Sequence, residues 1–150
     1  MADVRPFRGV RYDPARAGSL DRLLAPPYDV ISHSLQEELH RRSPYNVVRL
    51  ELGVTSSADS PQDNSYTRAA VAMASWLRQG ILVREEVPSL YLAVHQFVHR
   101  GRIFSRRELT VALRLEEWST GVVRPHEETK SGPKEDRLAL MQATMANISP

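Results

Sequence analysis

The sequence predicts an α+β fold with a mixed or antiparallel sheet and three or so flanking helices. Residues 90–115 are rich in β-branched and aromatic side chains on both sides of a His-Arg-Gly-Arg turn, which predicts a β-hairpin. Apolar residues recur at helical spacing over residues 66–79 and again over residues 134–148. A third, shorter helix is expected over residues 35–42.

Length and composition bound the class of protein. A chain of 150 residues suits one domain with its own core, and 41% hydrophobic and 25% charged residues are ordinary for a globular protein. The 20 basic residues are offset by 18 acidic ones, and the net charge of +2 argues against nucleic acid as a partner. The sequence contains no cysteine, which excludes disulfides and thiolate zinc sites. No apolar run reaches ~20 residues, and no signal peptide is evident, so we expect a cytoplasmic protein without a membrane partner.

The N-terminal third combines a predicted strand with a proline-rich loop. Residues 4–12 alternate apolar and basic side chains, and Pro6 restricts this strand to a sheet edge. Pro26 and Pro27 then favour extended backbone, so Tyr28 and Asp29 are expected on a stiff loop instead of a helix. Such a loop suits an active site, but a plain chain reversal is the commoner reason for it.

The next segment contains a helix, a strand and a loop. Ser34 and Glu37 have the spacing of a capping box and predict the helix over residues 35–42, which Ser43 and Pro44 end. Residues 46–52 alternate apolar and charged side chains, which is the periodicity of a strand. Residues 54–64 are almost free of apolar side chains and predict a flexible loop.

The helix predicted over residues 66–79 has one apolar face. Met73 and Trp76 on that face indicate core packing more than a ligand surface, and Gly80 provides the expected C-terminal cap. Residues 81–87 are expected to form a short strand. In the hairpin that follows, His95 and His99 would lie ~13 Å apart along one strand, too far to share a metal ion.

The hairpin tip also carries a group of cations. They could contact phosphate, but such a group more often forms a solvated strand edge that guards against aggregation. The four side chains are Arg100, Arg102, Arg106 and Arg107.

The residues best suited to chemistry are concentrated between residues 121 and 147. One loop contains Arg124, His126, Glu127, Glu128, Thr129 and Lys130. A helix is predicted to follow, with Gly132 as its N-cap, Pro133 at its first position and Lys134 in its first turn. The first turn of a helix stabilises anions, and histidine and carboxylates are the usual proton carriers. The loop therefore predicts a phosphate site beside a base, while a solvated loop of salt bridges remains the alternative.

Two better-known motifs are excluded for this loop. A zinc protease needs a second histidine at the position of Lys130, and a P-loop needs a glycine-rich run ending in Gly-Lys-Ser/Thr. Beyond the loop, the predicted helix continues with a set of apolar residues at helical spacing. These residues are Leu138, Met141, Met145 and Ile148.

Several motifs in order along the chain resemble those of the family called domain of unknown function 1015. They are Arg-Pro-Phe-Arg-Gly-Val-Arg-Tyr at residues 5–12, Ala-Pro-Pro-Tyr-Asp-Val-Ile-Ser at residues 25–32 and Pro-Tyr-Asn-Val-Val-Arg-Leu-Glu-Leu at residues 44–52, followed by Arg-Pro-His-Glu-x-Thr at residues 124–129 and Gly-Pro-Lys-x-Asp-Arg at residues 132–137. The resemblance implies a ParB/sulfiredoxin-like fold. It also implies a kinase that phosphorylates free L-serine with ATP or ADP and Mg²⁺, and neither zinc nor haem is expected.

The resemblance also implies roles for individual residues. Glu127 would be the catalytic base, His126 would belong to the catalytic site as a phosphate contact, and Glu128 would hold Mg²⁺. Tyr28 and Asp29 would line the substrate pocket. The nucleotide phosphates would be contacted by Arg124, Thr129, Lys130 and Lys134.

Family members are more than twice as long, and an Asp-Gly-His-His-Arg motif expected to bind nucleotide phosphate is not present in this chain. We therefore expect residues 1–150 to be a single N-terminal domain portion whose C-terminal partner is missing, with an incomplete fold and no turnover of its own. Two other functions stay open: a ParB-like module that binds nucleotide or nucleic acid without catalysis, and a non-catalytic scaffold.

Overall fold

A computed structural model describes residues 1–124 and 131–148 of the chain. These residues divide into two compact units. Residues 1–9 and 84–124 belong to the first unit, and residues 10–83 and 131–148 belong to the second. The fold is α+β, as predicted. The expectation of a single N-terminal domain portion stays a prediction.

The second unit contains the helices. In chain order they are α1 (Pro14–Ala17), α2 (Leu20–Leu23), α3 (His33–Arg42), α4 (Val48–Glu51), α5 (Ser65–Arg78) and α6 (Ser131–Thr144). The three longest, α3, α5 and α6, correspond to the three that the sequence predicts. The helix α5 packs against both α4 and α6.

The strands form three small sheets in the described residues. They are β1 (Val4–Arg5), β2 (Val10–Tyr12), β3 (Leu82–Arg84), β4 (Tyr91–His99), β5 (Arg102–Thr110) and β6 (Ala112–Leu113). Strand β1 pairs with β6 and β4 with β5, both antiparallel, while β2 pairs with β3. The single strand predicted over residues 4–12 is therefore wrong, because Pro6 separates two short strands that belong to different sheets.

The core of the second unit is built around Trp76, which is 5% exposed. Its buried neighbours are Leu50, Ile81 and Leu82, and Met73 packs against this cluster. The ring of Tyr45 meets the indole edge-on at a centroid distance of 5.8 Å. The predicted core role of Met73 and Trp76 is thus confirmed.

The strand predicted over residues 46–52 is wrong, because this segment forms the short helix α4. The fully buried Asn46 accepts the amide N–H of Val48 at 3.0 Å and donates to the carbonyls of Arg22 and Leu24 at 2.8 and 3.1 Å. An asparagine that binds the amide two residues on favours a turn over an extended strand. Alternating apolar residues could not reveal this, since Val48 and Leu50 are buried in the helix as well.

The boundaries of α3 and α5 follow from their caps. Ser32 caps α3 by accepting the amide N–H of Leu35 at 3.3 Å, so the predicted cap at Ser34 is two residues late. The predicted end at Arg42 is confirmed. Asn64 and Thr67 form a reciprocal capping box for α5, and Gly80, with φ +70°, follows its C-terminal end as predicted.

The helix α6 starts and ends earlier than predicted. It begins at Ser131, so Pro133 is its third residue, which the first turn tolerates because its amides have no partner inside the helix. It ends at Thr144, since Met145 adopts a left-handed conformation with φ +52°. The apolar face is also different from the predicted one: Leu140 is buried, whereas Leu138 is 53% and Met141 is 44% exposed.

The hairpin predicted over residues 90–115 is confirmed as β4 and β5. Arg100 and Gly101 form its two-residue turn, with φ of 49° and 74°. Positive φ at both central positions is characteristic of the tight turns that match the twist of a hairpin. The predicted short strand after Gly80 is confirmed as β3.

Residues 53–64 contain no regular helix or strand, as predicted. Arg68 of α5 binds this segment through Asp59 at 2.9 Å and Asp63 at 2.7 Å. Within the described ranges 1–124 and 131–148, no helix combines the length and the apolar character needed to cross a bilayer.

Candidate functional site

The proline-rich loop leads into a short turn that orients Tyr28. Pro27 is extended, and Tyr28–Val30 forms one turn of 3₁₀ helix in which the amide of Val30 donates to the carbonyl of Pro27 at 3.1 Å. The sequence predicts a loop without helix at Tyr28 and Asp29, and the structure differs in that both residues belong to this 3₁₀ turn. Tyr28 is half-buried and Asp29 is exposed.

Arg137 of α6 packs on the face of Tyr28. The guanidinium carbon lies 4.2 Å from the centroid of the ring, which is a cation–π contact. Two motifs that are about 110 residues apart in the sequence, Pro-Pro-Tyr-Asp and Lys-x-Asp-Arg, therefore meet in the second unit. The contact joins a predicted substrate loop to the helix that carries Lys134.

The guanidinium of Arg137 is held on two further sides. Its Nη2 donates to the main-chain carbonyl of Glu51 at 3.0 Å. Nε and Nη2 donate to Asp136 Oδ2 at 2.9 and 2.5 Å. The side chain is only 22% exposed, and a charged group at that depth is expected to be paired. These contacts determine the position of the guanidinium rather than leaving it free in solvent.

One nitrogen of Arg137 remains available. Nη1 is buried and has no hydrogen-bond partner among the described residues. A buried donor without a partner is uncommon and marks either strain or a site for a further group. The face of the Tyr28 ring covers the same guanidinium, so the donor lies at the boundary between the loop and the helix.

Asp136 links this arrangement to α5. Its Oδ1 accepts the hydroxyl of Tyr66 at 2.8 Å, while Oδ2 accepts from Arg137. The hydrogen bond to the Asp136 carboxylate raises the pKa of Tyr66, and burial raises it further. A connected polar network therefore crosses three segments of the second unit. We call it the Arg137 network, and it consists of Tyr66, Asp136, Arg137 and Tyr28.

The predicted site residues are only partly tested by these contacts. Lys134 lies exposed in the first turn of α6, three residues before Arg137. Arg124 is exposed and belongs to the first unit. The predicted base and most of the predicted phosphate and metal contacts lie outside the described residues: His126, Glu127, Glu128, Thr129 and Lys130.

Sequence patterns do not distinguish three members of the Arg137 network from their neighbours. Tyr66 falls within the helical periodicity of residues 66–79, and Asp136 and Arg137 occur only as the last two residues of the motif at 132–137. The Asp136-Arg137 dipeptide was the available signal, but adjacent opposite charges near a helix start are common on ordinary surfaces.

The histidines of the hairpin have ordinary partners. His95 pairs with Glu108 across the strands at 3.0 Å, and the ring of His99 lies against Phe104. Over residues 1–124 and 131–148, no group of three or more histidine and acidic side chains could hold a metal ion. The predicted metal ligand, Glu128, is outside these ranges.

A family model described as "Protein of unknown function (DUF1015)" matches residues 4–150. No curated protein and no solved structure matches the chain.

Proposed function

Because the chain belongs to the family described as "Protein of unknown function (DUF1015)", and because Tyr28 and Arg137 of two motifs that resemble those of this family are in contact, we propose that it is part of a small-molecule kinase. The reaction proposed is transfer of a phosphoryl group from ATP or ADP to a hydroxyl, with free L-serine as the acceptor. A ParB/sulfiredoxin-like fold and a cytoplasmic location belong to the same proposal.

The single observation that supports this proposal most is the contact between Arg137 and Tyr28, at 4.2 Å from guanidinium carbon to ring centroid. It links the loop proposed to bind the acceptor to the helix proposed to bind phosphate. Phosphoryl transfer depends mainly on positioning and charge neutralisation, so a rigid link between these two segments is what the reaction requires.

The residues that follow the predicted loop fit an anionic ligand. Lys134 is exposed in the first turn of a 14-residue helix, where backbone amides and the helix dipole favour negative charge. The buried Nη1 of Arg137 adds a donor that has no hydrogen-bond partner among the described residues. In the proposed site, Arg124, Lys130 and Thr129 add contacts to the phosphates.

The proton of the acceptor hydroxyl is assigned to Glu127, with His126 beside it. As the oxygen attacks the terminal phosphorus, Glu127 takes the proton, and the remaining nucleotide leaves with the electron pair of the broken bond. Tyr28 and Asp29 hold the acceptor in place.

Mg²⁺ would bind through Glu128. A bound Mg²⁺ neutralises charge on the phosphate oxygens, and its usual partners in proteins are one or two carboxylates together with those oxygens.

The natural full-length protein, incubated with L-serine, Mg²⁺ and either ATP or ADP, tests the proposal. We expect phosphoserine by mass spectrometry, and at least about 100-fold less with Glu127→Gln. Arg78→Ala is the control, since this exposed arginine ends α5 and is not part of the proposed site. Absence of phosphoserine, or an active Glu127→Gln variant, would overturn the proposal.

A second candidate function is supported by the hairpin. Phe97 and Phe104 stack with centroids 5.7 Å apart on one face of it, and the guanidinium of Arg102 lies 5.9 Å from the Phe104 ring. Exposed rings beside cations can stack with the bases of a single-stranded nucleic acid. This candidate requires binding that weakens steeply with salt and is lost with Phe97→Lys and Phe104→Lys together. A flat titration with single-stranded DNA at low salt would exclude it.

A further inference from the structure

The hairpin formed by β4 and β5 has two faces of different chemistry. Within the described residues these nine-residue strands pair only with each other. A two-stranded ribbon by itself is marginally stable in water, so one of its faces is expected to be covered. Residues directly opposite in the register share a face, which divides the ribbon into an aromatic face around Phe97 and Phe104 and an aliphatic face.

The aliphatic face begins and ends with purely apolar pairs. At the open end of the hairpin Leu92 lies opposite Leu109, and next to the turn Val98 lies opposite Ile103. These four side chains are between 59% and 78% exposed. Exposed aliphatic side chains grouped on one face indicate an interaction surface, whereas single ones do not.

The two middle pairs of the same face are partly polar. Val94 lies opposite Arg107, and Gln96 lies opposite Ser105. Each cross-strand pair forms one layer of this face. From the open end of the hairpin to the turn, the four layers are therefore apolar, cationic, neutral polar and apolar. Successive layers are ~7 Å apart, since side chains on one face of a strand recur every second residue.

We propose that the aliphatic face binds a second copy of this chain, with the two ribbons antiparallel and related by a two-fold axis. In that arrangement the apolar layer at the open end of one copy meets the apolar layer at the turn of the other. Leu92 then faces Val98 of the second copy, and Arg107 faces Ser105, whose hydroxyl oxygen accepts a hydrogen bond. The order of the four layers is complementary to itself under this rotation, as a two-fold interface requires.

The other arrangements fit less well. With the ribbons parallel, the two Arg107 side chains share one layer and each lies over Val94 of the other copy, so a charge is buried without an acceptor. Packing through the aromatic face in the same antiparallel way places Arg106 of one copy against Arg106 of the other. The aromatic face of each copy has one carboxylate, Glu108, which Arg106 and His95 of the same chain already bind.

The size of the face suits a reversible dimer. A nine-residue ribbon is ~30 Å long, and contact along its whole length approaches the lower limit of stable interfaces, about 1,200 Å² in total. We therefore expect a dimer whose population depends on concentration in the micromolar range. This inference is independent of the proposed kinase activity.

Sedimentation of the 150-residue chain over a range of concentrations tests the dimer with two matched variants. Val98→Lys with Ile103→Lys changes the aliphatic face, and Phe97→Lys with Phe104→Lys changes the neighbouring pair on the aromatic face. We expect the first variant to raise the dimer dissociation constant at least about 30-fold and the second to leave it nearly unchanged. All four side chains are at least 40% exposed, so neither variant empties the core. A monomeric wild type, or equal effects of the two variants, would overturn the proposal.

Cysteine cross-linking tests the antiparallel orientation, and the absence of native cysteine removes any background. Leu92→Cys and Val98→Cys lie at opposite ends of the aliphatic face. Under mild oxidation we expect a mixture of the two variants to form a cross-linked dimer, and each variant alone to stay largely unlinked. Cross-linking of Leu92→Cys with itself, or no cross-link in the mixture, would contradict the arrangement.

Discussion

The guanidinium of Arg137 lies over the ring of Tyr28 at 4.2 Å, and this contact joins two distant motifs of the chain. We expect a measurable coupling energy between the two side chains. Removing the ring with Tyr28→Leu should cost about 1 kcal/mol of unfolding free energy, whereas Tyr28→Phe keeps the ring and should cost less.

A double-mutant cycle with Arg137→Leu isolates the pair. We expect a coupling of about 1 kcal/mol in chemical denaturation, and a cycle of Tyr28→Leu with Arg78→Leu serves as the control. A coupling in the test cycle no larger than the additivity error of about 0.5 kcal/mol would show that the stacked geometry contributes nothing.

Replacing the buried side-chain amide of Asn46 with a carboxylate should destabilise the fold. Asn46→Asp has nearly the same shape, but it loses the donor to the carbonyls of Arg22 and Leu24 and places negative charge beside them. We expect a loss of about 3 kcal/mol or more in unfolding free energy.

Asn64→Asp is the matched control for that change. Asn64 caps the N-terminus of α5, where asparagine and aspartate are about equally good, so we expect a change below about 1 kcal/mol. If thermal or urea unfolding showed similar losses of unfolding free energy for the two variants, burial of Asn46 would not explain why the fold requires an amide there.

Two tyrosines should make the fold sensitive to alkali. Burial raises the pKa of Tyr12, whose hydroxyl donates to the carbonyl of Tyr45 at 2.7 Å, and the Asp136 carboxylate raises the pKa of Tyr66. Both phenols are neutral when protonated, so their stabilising contribution is fully present below pH ~10, the unfolded pKa, and is lost as the pH rises beyond it.

The comparison of Tyr12→Phe and Tyr66→Phe with the wild type separates these contributions. Each variant should lose about 1 kcal/mol at pH 7 through its missing hydrogen bond, yet fall less steeply between pH 10 and about 12. Stability curves that stay parallel to the wild type over that range would contradict the assignment.

His40 should make the fold less stable in acid, whereas the two tyrosines make it less stable in alkali. Burial lowers its pKa, and the positive charge of Arg49 lowers it further, while the buried Nε2 has no hydrogen-bond partner among the described residues. The neutral ring is therefore favoured in the fold, and this contribution is present above pH ~6.5 and lost as the pH falls through the lowered pKa. We expect His40→Leu to lose less stability than the wild type between pH 7 and about 5, with the exposed His33→Leu as the control. An NMR titration that placed the His40 pKa at or above its ordinary value would refute this.

Local sequence patterns determined much of the fold. The helical periodicity before Gly80 predicted α5, and Ser43-Pro44 predicted the end of α3, because caps and breakers act within a few residues. The hairpin followed in the same way from β-branched residues around Arg100-Gly101. These elements need only neighbouring residues in order to be recognised.

At residues 46–52 the local sequence pattern predicts the wrong secondary structure. Alternation of Val48 and Leu50 predicts a strand, but the buried Asn46 finds its acceptors in α2 and the segment after it, and a turn satisfies them. Likewise, the register of α6 buries Leu140 and leaves the predicted face residues Leu138 and Met141 exposed, since packing against α5 selects the face.

In the candidate site, too, some residues were predictable from the sequence and others only from the tertiary structure. The sequence alone pointed to the charged residues before α6 and to Tyr28, because those residue types carry the chemistry wherever they lie. Only the tertiary structure joined Tyr28 to Arg137 and Asp136 to Tyr66, and within residues 1–124 and 131–148 it gives Nη1 of Arg137 no hydrogen-bond partner. The physical reason is that stacking and hydrogen bonding act over a few ångströms in space, whereas these residues are separated by 70 or more positions along the chain.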